Sequence, residues 1–473
     1  MTLRSSKYHK YWWLILLVLC LGSRLLTTIY YIEDPDSLRF AFATQEYDLQ
    51  KLQPHFPGYP VFCFIVNVIY AVCGKFSISF SIVGGLATFL LMWSARNILI
   101  SIYPQVKLWI LDVLVFFNPM IWLMGNRYMS DILGLAAIIV GLLFFVKYLK
   151  SKCTTDIVLF GLITGLAFGV RLSFIPFLFI PAIYITIIDK RRWSFLLSLI
   201  IGGLVWIVPF VFILGLDGIL DSAVKQSTGH FGEWGGTIIT ENGYWLRLKY
   251  LIVGIWAHGL GGWDGGRHWL TLLVSGGLIF SIFGFIKPST IGQNHKKTIQ
   301  ILVASTLLYL LWIYIFQNVM YKPRHVLPVI AVILMFMTVG LSKHMNNNIK
   351  KGIVAIFLGS YSVVGIVIAK QHQNPSAISQ ALSYLKDQDN GKIVASIPLV
   401  NQYFGKQALK CTLIDVETEI ELESVINKHH SFYYVGEILP KFDIEIKQTK
   451  AFYHNPYVNK LWSSVKVYEL ARR

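Results

Sequence analysis

The sequence predicts an all-α polytopic membrane protein with about 11 crossings, interfacial or re-entrant helices, and a small C-terminal α/β domain on the extracytoplasmic side. Of its 473 residues, 55% are hydrophobic and 14% charged, a balance typical of membrane proteins. Apolar runs of about 20 residues, long enough to cross a bilayer as a helix, recur up to residue 370. Residues 371–473 contain no such run. We therefore predict a transmembrane domain over 1–370 and an extracytoplasmic domain over 371–473.

The first apolar run, WWLILLVLCLGSRLLTTIYYI, follows the basic start MTLRSSKYHK. It is longer and bulkier than a signal peptide and lacks a small-residue cleavage site, so we interpret it as the first transmembrane helix. The five cysteines show no C-x-x-C spacing, which argues against a zinc site or a disulfide scaffold. The sequence contains no P-loop, GxGxxG, HExxH or GxSxG motif in a supporting context, so soluble nucleotide chemistry finds no support.

Six groups of basic residues set the predicted topology, because Lys and Arg collect in cytoplasmic loops. The groups are Arg4/Lys7/Lys10, Arg96/Lys107, Lys147/Lys150/Lys152, Lys190/Arg191/Arg192, Lys287/Lys296/Lys297 and Lys343/Lys350/Lys351. The crossings consistent with them are 12–31, 77–95, 108–125, 131–149, 155–170, 172–188, 193–214, 268–286, 299–317, 325–342 and 352–370. This topology gives a cytoplasmic N-terminus and leaves two short apolar stretches, 60–73 and 246–260, as interfacial or re-entrant segments.

The formal charge of +17 is mostly a topology signal, because residues 371–473 hold 12 Lys and Arg against 11 Asp and Glu. We therefore expect membrane lipids and no nucleic acid among the partners. Acidic residues show a different bias. Of the 14 before residue 371, 11 lie on the predicted outer side, at positions 33, 34, 36, 46, 48, 131, 217, 221, 233, 241 and 264. The outer face is therefore the expected chemical face.

The C-terminal residues alternate between helical and strand patterns. A helix is predicted near 376–386, followed by the strand patterns KIVASIPLV and CTLIDV, the acidic helix TEIELESVINKHH and the strand pattern SFYYVGEIL. This alternation predicts the small α/β domain.

The first outer loop, EDPDSLRFAFATQEYDLQKLQPHFPGYP, is the most acidic segment of the membrane portion. Its polar and aromatic candidates for chemistry or for binding are Glu33, Asp34, Asp36, Asp48, His55 and Tyr59. A partly desolvated carboxylate at a membrane surface is suited to removing a proton from a hydroxyl group. A solvated polar loop explains the same acids equally well.

Two charged positions lie next to later apolar segments. In NPMIWLMGNRYMSDILG, Arg127 and Asp131 stand four residues apart at the outer start of a helix, where a carboxylate also suits a capping role. Arg171, in GVRLSFIP, either lines an anion site or marks a turn between helices at the surface. Of these two interpretations, the turn is favoured.

The segment QNVMYKPRHVLPVI places Lys322, Arg324 and His325 at the outer start of another helix. A guanidinium group and a helix N-terminus both suit a phosphate. Anchoring to lipid headgroups is the alternative.

The outer loop KQSTGHFGEWGGTIITENGYW contains His230, Glu233 and Trp234 among glycines and aromatic residues. Aromatic faces beside polar groups suit sugar binding. Aromatic residues also collect at membrane interfaces, so the pattern alone does not separate the two roles.

Taken together, DSLRFAFATQEYDL with QPHFPGYP, NPMIWLMGNRYMSD and KPRHVLPV resemble segments of the GT-C superfamily of membrane glycosyltransferases. The pattern is most similar to bacterial relatives of protein O-mannosyltransferases and lipid A aminoarabinose transferases, and it covers about residues 10–370. The resemblance implies an inverting transfer of a sugar from a polyprenyl-phosphate donor to a glycan, lipid or protein acceptor on the non-cytoplasmic face.

The resemblance also implies roles for individual residues. The catalytic aspartate of the first loop corresponds best to Asp36, with Asp34 as the competitor, because Pro35 separates an acidic pair that is adjacent in many relatives. Asp131 corresponds to the second acidic position. The donor phosphate would be bound by Arg324, with His325, Lys322 and Arg127 assisting. The acceptor or sugar would contact residues from the set Glu33, Asp48, His55, Tyr59, His230, Glu233 and Trp234.

No cofactor is required by these residues, although a divalent cation near Glu33, Asp34 and Asp36 stays open, since carboxylates supply suitable oxygen ligands. A lipid-linked polysaccharide ligase or polymerase is the nearest alternative enzyme. A secondary transporter is the main alternative of another class, although the charges gather at the predicted outer rim rather than at the bilayer midplane.

Overall fold

A computed structural model describes residues 7–233, 235–241, 243–286, 293–388, 391–436, 444–455 and 460–472. The chain divides into two compact units. The first unit comprises Met1–Ile29 and Arg39–Gln371, and the second unit comprises Tyr30–Leu38 and His372–Arg473. The first outer loop therefore contributes to both units, whereas the sequence-based division assigned all of it to the transmembrane domain.

The first unit is helical. Its helices are α1 (Lys7–Leu26), α2 (Pro35–Ala43, which begins in the second unit), α3 (Pro60–Cys73), α4 (Phe76–Ile102), α5 (Leu108–Phe116), α6 (Pro119–Met124), α7 (Asp131–Ser151), α8 (Thr154–Val170), α9 (Phe179–Ile188), α10 (Arg192–Leu214), α11 (Leu216–Gly232), α12 (Tyr244–Val253), α13 (Leu270–Ile286), α14 (Gln293–Phe316), α15 (Leu327–His344) and α16 (Asn348–Gln371). Shorter 3₁₀ turns span Leu172–Leu178 and Pro323–Val326, and a π-helical turn spans Gly254–Gly259.

The helices confirm the predicted class of multi-pass membrane protein. Within the described ranges, six segments are long and apolar enough to cross a membrane: Phe76–Ile102, Asp131–Ser151, Arg192–Leu214, Lys296–Phe316, Pro323–His344 and Asn348–Gln371. Shorter apolar helices are Tyr11–Leu26, Pro60–Cys73, Thr154–Val170, Leu172–Ile188 and Leu270–Phe285. The number of actual crossings stays a prediction.

The predicted crossing 108–125 is not one continuous helix. Helix α5 ends at Phe116 and α6 begins at Pro119. Proline is favoured at the first position of a helix, since it has no N–H to donate there. The side chain of Asn118 accepts a hydrogen bond from the Ile121 N–H and so caps α6. The apolar pattern continues through this break, which is why hydropathy does not reveal it.

The second unit contains a five-stranded sheet. Its elements after residue 372 are α17 (Ala377–Lys386), β1 (Ile393–Ser396), α18 (Pro398–Lys406), β2 (Thr412–Asp415), α19 (Glu419–Lys428), β3 (Ser431–Val435), β4 (Glu445–Tyr453) and β5 (Ser464–Ala471). The strand order is β2-β1-β3-β5-β4, with β2, β1 and β3 parallel and the other two pairings antiparallel. A core that includes Ala395, Leu422, Phe432 and Leu470 packs α19 against the sheet.

The α/β character predicted for this part of the chain is confirmed. The predicted strand KIVASIPLV is only half strand, because Pro398 starts α18 and ends the extended run. The predicted strand SFYYVGEIL begins as β3, and its last residues, from 437 onward, lie outside the described residues.

Candidate active site

The candidate site of the first unit begins at the N-terminus of α7. The turn before it is fixed by Asn126, whose Nδ2 donates to the Arg24 carbonyl at 2.7 Å and to Ser81 Oγ at 3.1 Å. Gly125 lies so close to α4 that a Cβ on Gly84 would stand 1.8 Å from the Gly125 carbonyl oxygen. Helices α1 and α4 therefore hold this turn, and α7 starts directly after it with Asp131 in its first turn.

Asp131 is fully buried and pairs with two arginines from distant parts of the chain. Its Oδ1 lies 2.9 Å from Arg171 Nη2 and 3.6 Å from Arg324 Nε. Both arginines are also buried. One carboxylate thus faces two guanidinium groups. Buried charges are stable only when they are paired, so the arrangement requires all three side chains.

Arg171 owes its position to the end of α8. It stands just after Val170 in extended conformation, and it donates from Nη1 to Ser130 Oγ at 3.2 Å. A Cβ on Gly134 would lie 2.5 Å from the Arg171 Cβ, so only glycine allows this approach to α7. The favoured interpretation of Arg171 as a surface turn is therefore wrong in one respect. The residue does join two helices, but it is buried and paired with an acid.

The first-loop residues His55 and Tyr59 lie beside this group. The Arg171 guanidinium stands 5.7 Å from the centre of the Tyr59 ring, a cation–π distance. His55 Nε2 and the Tyr59 hydroxyl are 3.1 Å apart. Phe40 packs edge-on against both rings. The first unit thus brings together four of the predicted site residues: His55, Tyr59, Asp131 and Arg324.

Arg324 lies in the 3₁₀ turn that precedes α15. Pro323 starts the turn, and the buried Tyr309 donates from its hydroxyl to the His325 carbonyl at 2.9 Å. His325 is buried and Lys322 is half-buried. The segment predicted to bind phosphate therefore forms a turn that hydrogen bonds within the protein hold in place. The Arg324 side chain is directed to Asp131.

The loop predicted to bind sugar contacts the C-terminal end of α14. His230 donates from Nε2 to the Phe316 carbonyl at 3.0 Å. The pKa of His230 is lowered, mainly because burial disfavours the charged imidazolium. The positive charge of Lys322 also lowers this pKa, whereas the hydrogen bond to Phe316 opposes the shift. Glu233 is exposed at the end of α11, and Trp234 lies outside the described residues.

The acids at the start of the first loop belong to the second unit. Glu33 Oε1 lies 2.7 Å from His372 Nε2, and both side chains are buried. Asp34 Oδ1 accepts the Ser37 N–H at 2.7 Å, which caps the start of α2. Asp36 lies in the first turn of α2 and is buried. Nothing in the sequence signals the partner of Glu33, since 339 residues separate it from His372.

The remaining predicted residues have local roles. Asp48 Oδ1 accepts the Gln50 N–H at 2.8 Å within a tight turn, and Lys51 lies 3.7 Å from its other oxygen. Arg127 is buried in the turn before α7. Among the described residues, no group of three His, Cys, Asp or Glu side chains is arranged to hold a metal ion, the first-loop acids included.

Solved structures with a similar fold include the lipid A aminoarabinose transferase ArnT from Cupriavidus metallidurans. Its structure bound to undecaprenyl phosphate matches with a TM-score of 0.57 at 11% identity, over 97% of this chain and 98% of ArnT. The apo form of ArnT matches with a TM-score of 0.58 at 10% identity, over 98% of each chain. This chain has the GT-C fold.

A second protein with the GT-C fold is the oligosaccharyltransferase of Archaeoglobus fulgidus. Its structure, tethered to an acceptor peptide containing the NVT sequon, matches with a TM-score of 0.50 at 12% identity, over 91% of this chain and 69% of that chain. No protein-family model and no curated protein matches the chain. The GT-C fold expected from the first outer loop, the NPMIWLMGNRYMSD segment and the KPRHVLPV segment is thus confirmed at the level of three-dimensional structure.

Proposed function

We propose that the protein is a membrane glycosyltransferase that transfers a sugar from a polyprenyl-phosphate donor to an acceptor hydroxyl on the non-cytoplasmic face. The observation that carries this proposal is the buried group of Asp131, Arg171 and Arg324 within a GT-C fold. Two guanidinium groups suit a phosphate, and ArnT, which shares the fold, has been seen with undecaprenyl phosphate bound.

The proposed reaction is a single displacement with inversion. The acceptor oxygen attacks the anomeric carbon of the sugar, the bond from that carbon to the phosphate oxygen breaks, and its electron pair leaves with the prenyl phosphate. The acceptor proton passes to a carboxylate of the first loop, for which we favour Asp36. Arg324 and Arg171 stabilise the negative charge that grows on the departing phosphate.

We favour Asp36 over Asp34 because, in the sequence resemblance, the acid directly before the SLRFAFA helix corresponds best to the catalytic aspartate. Asp34 already accepts the Ser37 N–H as the cap of α2, so one of its oxygens has a structural task. Asp36, two residues later, is buried in the first turn of the same helix. Both carboxylates are buried, and burial makes either one a better proton acceptor, so burial alone does not separate them.

We assign Asp131 a supporting role. It lies between the two arginines and holds both guanidinium groups in a fixed direction through Oδ1. Lys322, His325 and Arg127 are proposed to assist in phosphate binding. His55 and Tyr59 are proposed to contact the sugar or the acceptor, because they form a polar and aromatic surface beside Arg171. The proposed topology places the N-terminus in the cytoplasm and residues 371–473 outside.

Two measurements test the function. The first compares the glycans of the envelope in a deletion strain and its parent by mass spectrometry, and loss of one sugar with intact donor lipid is expected. The second measures transfer by the purified protein from prenyl-phosphate sugars. Unchanged glycans together with altered solute accumulation would favour a transporter and overturn the proposal.

A further inference from the structure

The C-terminal end of α14 is capped by residues within 230–233, 235–241 and 243–247, which we name together the capping segment. The last carbonyls of a helix lack partners within it and must find them elsewhere. The Tyr314 carbonyl accepts Arg247 Nη2 at 2.6 Å, and the Ile315 carbonyl accepts the Ile238 N–H at 2.9 Å. The Phe316 carbonyl accepts His230 Nε2 at 3.0 Å. Three successive carbonyls are therefore satisfied by the capping segment.

Arg247 contributes most to this cap. Its side chain is fully buried, and it makes four hydrogen bonds to three backbone carbonyls. Besides Tyr314, Nη2 reaches the Gln317 carbonyl at 2.9 Å and Nη1 reaches the Gly236 carbonyl at 2.6 Å. The planar guanidinium fork spreads its donors over three nitrogens in fixed directions, a geometry that the single nitrogen of lysine does not reproduce.

The chain that leaves this capped end carries Arg324. Asn318 follows Gln317, and its carbonyl accepts the Lys322 N–H at 3.2 Å while its Oδ1 accepts the Tyr321 N–H at 2.9 Å. Gly236 fits tightly against the same residue, because a Cβ there would lie 2.4 Å from Asn318 Nδ2. A continuous series of contacts thus runs from Arg247 to the turn that holds Arg324.

We propose that Arg247 is a positioning residue for Arg324, acting through the end of α14 and residues 317–323. This inference rests on the proposed function for its effect on donor binding. Without Arg247, the Tyr314 and Gly236 carbonyls lose the Arg247 donors, and the Gln317 carbonyl keeps only the Val319 N–H at 3.0 Å. The turn at 323–326 then loses the contacts that fix the chain before it. A shift of about 1 Å at a charged contact can cost about 100-fold in a reaction.

The test is a double-mutant cycle with undecaprenyl phosphate as the probe, measured as binding to the full-length protein in nanodiscs. R247Q is expected to weaken binding about tenfold, and R324Q by at least as much. R247Q/R324Q should bind no more weakly than R324Q, because Arg247 acts through Arg324. R247K should recover only part of the loss. The proposal would be overturned if the double variant lost affinity by the product of the two single losses. It would also be overturned if R247Q bound undecaprenyl phosphate like the wild type.

A control variant and a hydrogen-exchange measurement complete the test. K249Q removes an exposed charge from the same helix and should leave binding unchanged, which controls for electrostatics. Hydrogen exchange should become faster at residues 314–326 in R247Q and not in K249Q. If the wild-type protein fails to bind undecaprenyl phosphate, the donor class in the proposed function is wrong. The exchange measurement then decides the positioning role alone, and unchanged exchange at residues 314–326 rejects it.

Discussion

Arg171 Nη2 lies 2.9 Å from Asp131 Oδ1, and both side chains are buried at the start of α7. The pair joins the end of α8 to the start of α7, and through the same carboxylate oxygen it includes Arg324 at 3.6 Å. Three helix ends are therefore held by one acid. Removal of one member of such a group leaves a buried charge without its partner, and the two guanidinium groups are of the type that suits a phosphate.

Removing the acid should destabilise the protein more than removing the acid together with one base. D131N leaves two buried guanidinium groups without their carboxylate, and a cost of about 3–5 kcal/mol is expected. D131N/R171Q also removes one of these two guanidinium groups, so the double variant should be more stable than D131N. Thermal unfolding in one detergent measures both. Strictly additive losses would show that the two residues are not coupled.

The two first-loop aspartates should respond differently to asparagine. D34N preserves the cap of α2, because asparagine caps helices as well as aspartate does, so transfer should stay near the wild-type rate. D36N removes the proposed base, and the rate should fall by about 100-fold or more with unchanged unfolding temperature. The measurement is initial transfer rate on purified protein. An inactive D34N beside an active D36N would reverse the assignment.

The sequence identified those residues of the candidate site that leave a local pattern. Asp131 and Arg324 each stand at the start of an apolar helix, and hydropathy alone marks both positions. Their contact, and that of Arg171 with Asp131, depends on how α7, α8 and the turn before α15 pack together. No periodicity encodes this packing, which explains why Arg171 was interpreted as a surface turn.

The elements of the fold could also be predicted only where they leave a local sequence pattern. Long apolar runs predicted most membrane helices, since lipid allows only a narrow set of solutions for a buried backbone. The edge strand β4 was not predicted, because most of its residues are exposed and it lacks the alternation that marks a strand with one buried face. The division of the first loop between two units depends on tertiary contacts and has no signal in the sequence.

The capping box of α19 gives a prediction that concerns the second unit only. Thr418 Oγ1 accepts the Glu421 N–H, while Glu421 Oε2 accepts the N–H groups of Glu417 and Thr418. T418A should therefore raise the local opening of residues 419–428 about fivefold. Hydrogen exchange on the full-length protein measures this change. Equal protection in T418A and wild type would contradict the role of the cap.

The same box implies a dependence on pH. Hydrogen bonds from the Glu417 and Thr418 N–H groups lower the pKa of Glu421 below its ordinary value of 4.5. The folded state then holds the proton less tightly than the unfolded state, so the stabilisation is present above 4.5 and lost as pH falls through the lowered pKa. Protection of α19 should decline in acid for the wild type and stay flat for E421Q. A decline of equal size in E421Q would assign the effect to another acid.

Gly84 and Gly359 offer a matched pair for testing how the turn before Asp131 is held. A Cβ on Gly84 would lie 1.8 Å from the Gly125 carbonyl oxygen, whereas a Cβ on Gly359 would meet nothing within 4 Å. G84A should force α4 away from the turn that fixes Asp131, with a loss of about 1–3 kcal/mol in stability. Transfer should also fall, because Asp131 would then no longer hold both arginines in place. G359A makes the same chemical change in α16 and should keep wild-type stability and rate. Similar behaviour of the two variants in unfolding and transfer assays would show that the approach of α4 to this turn does not position the site.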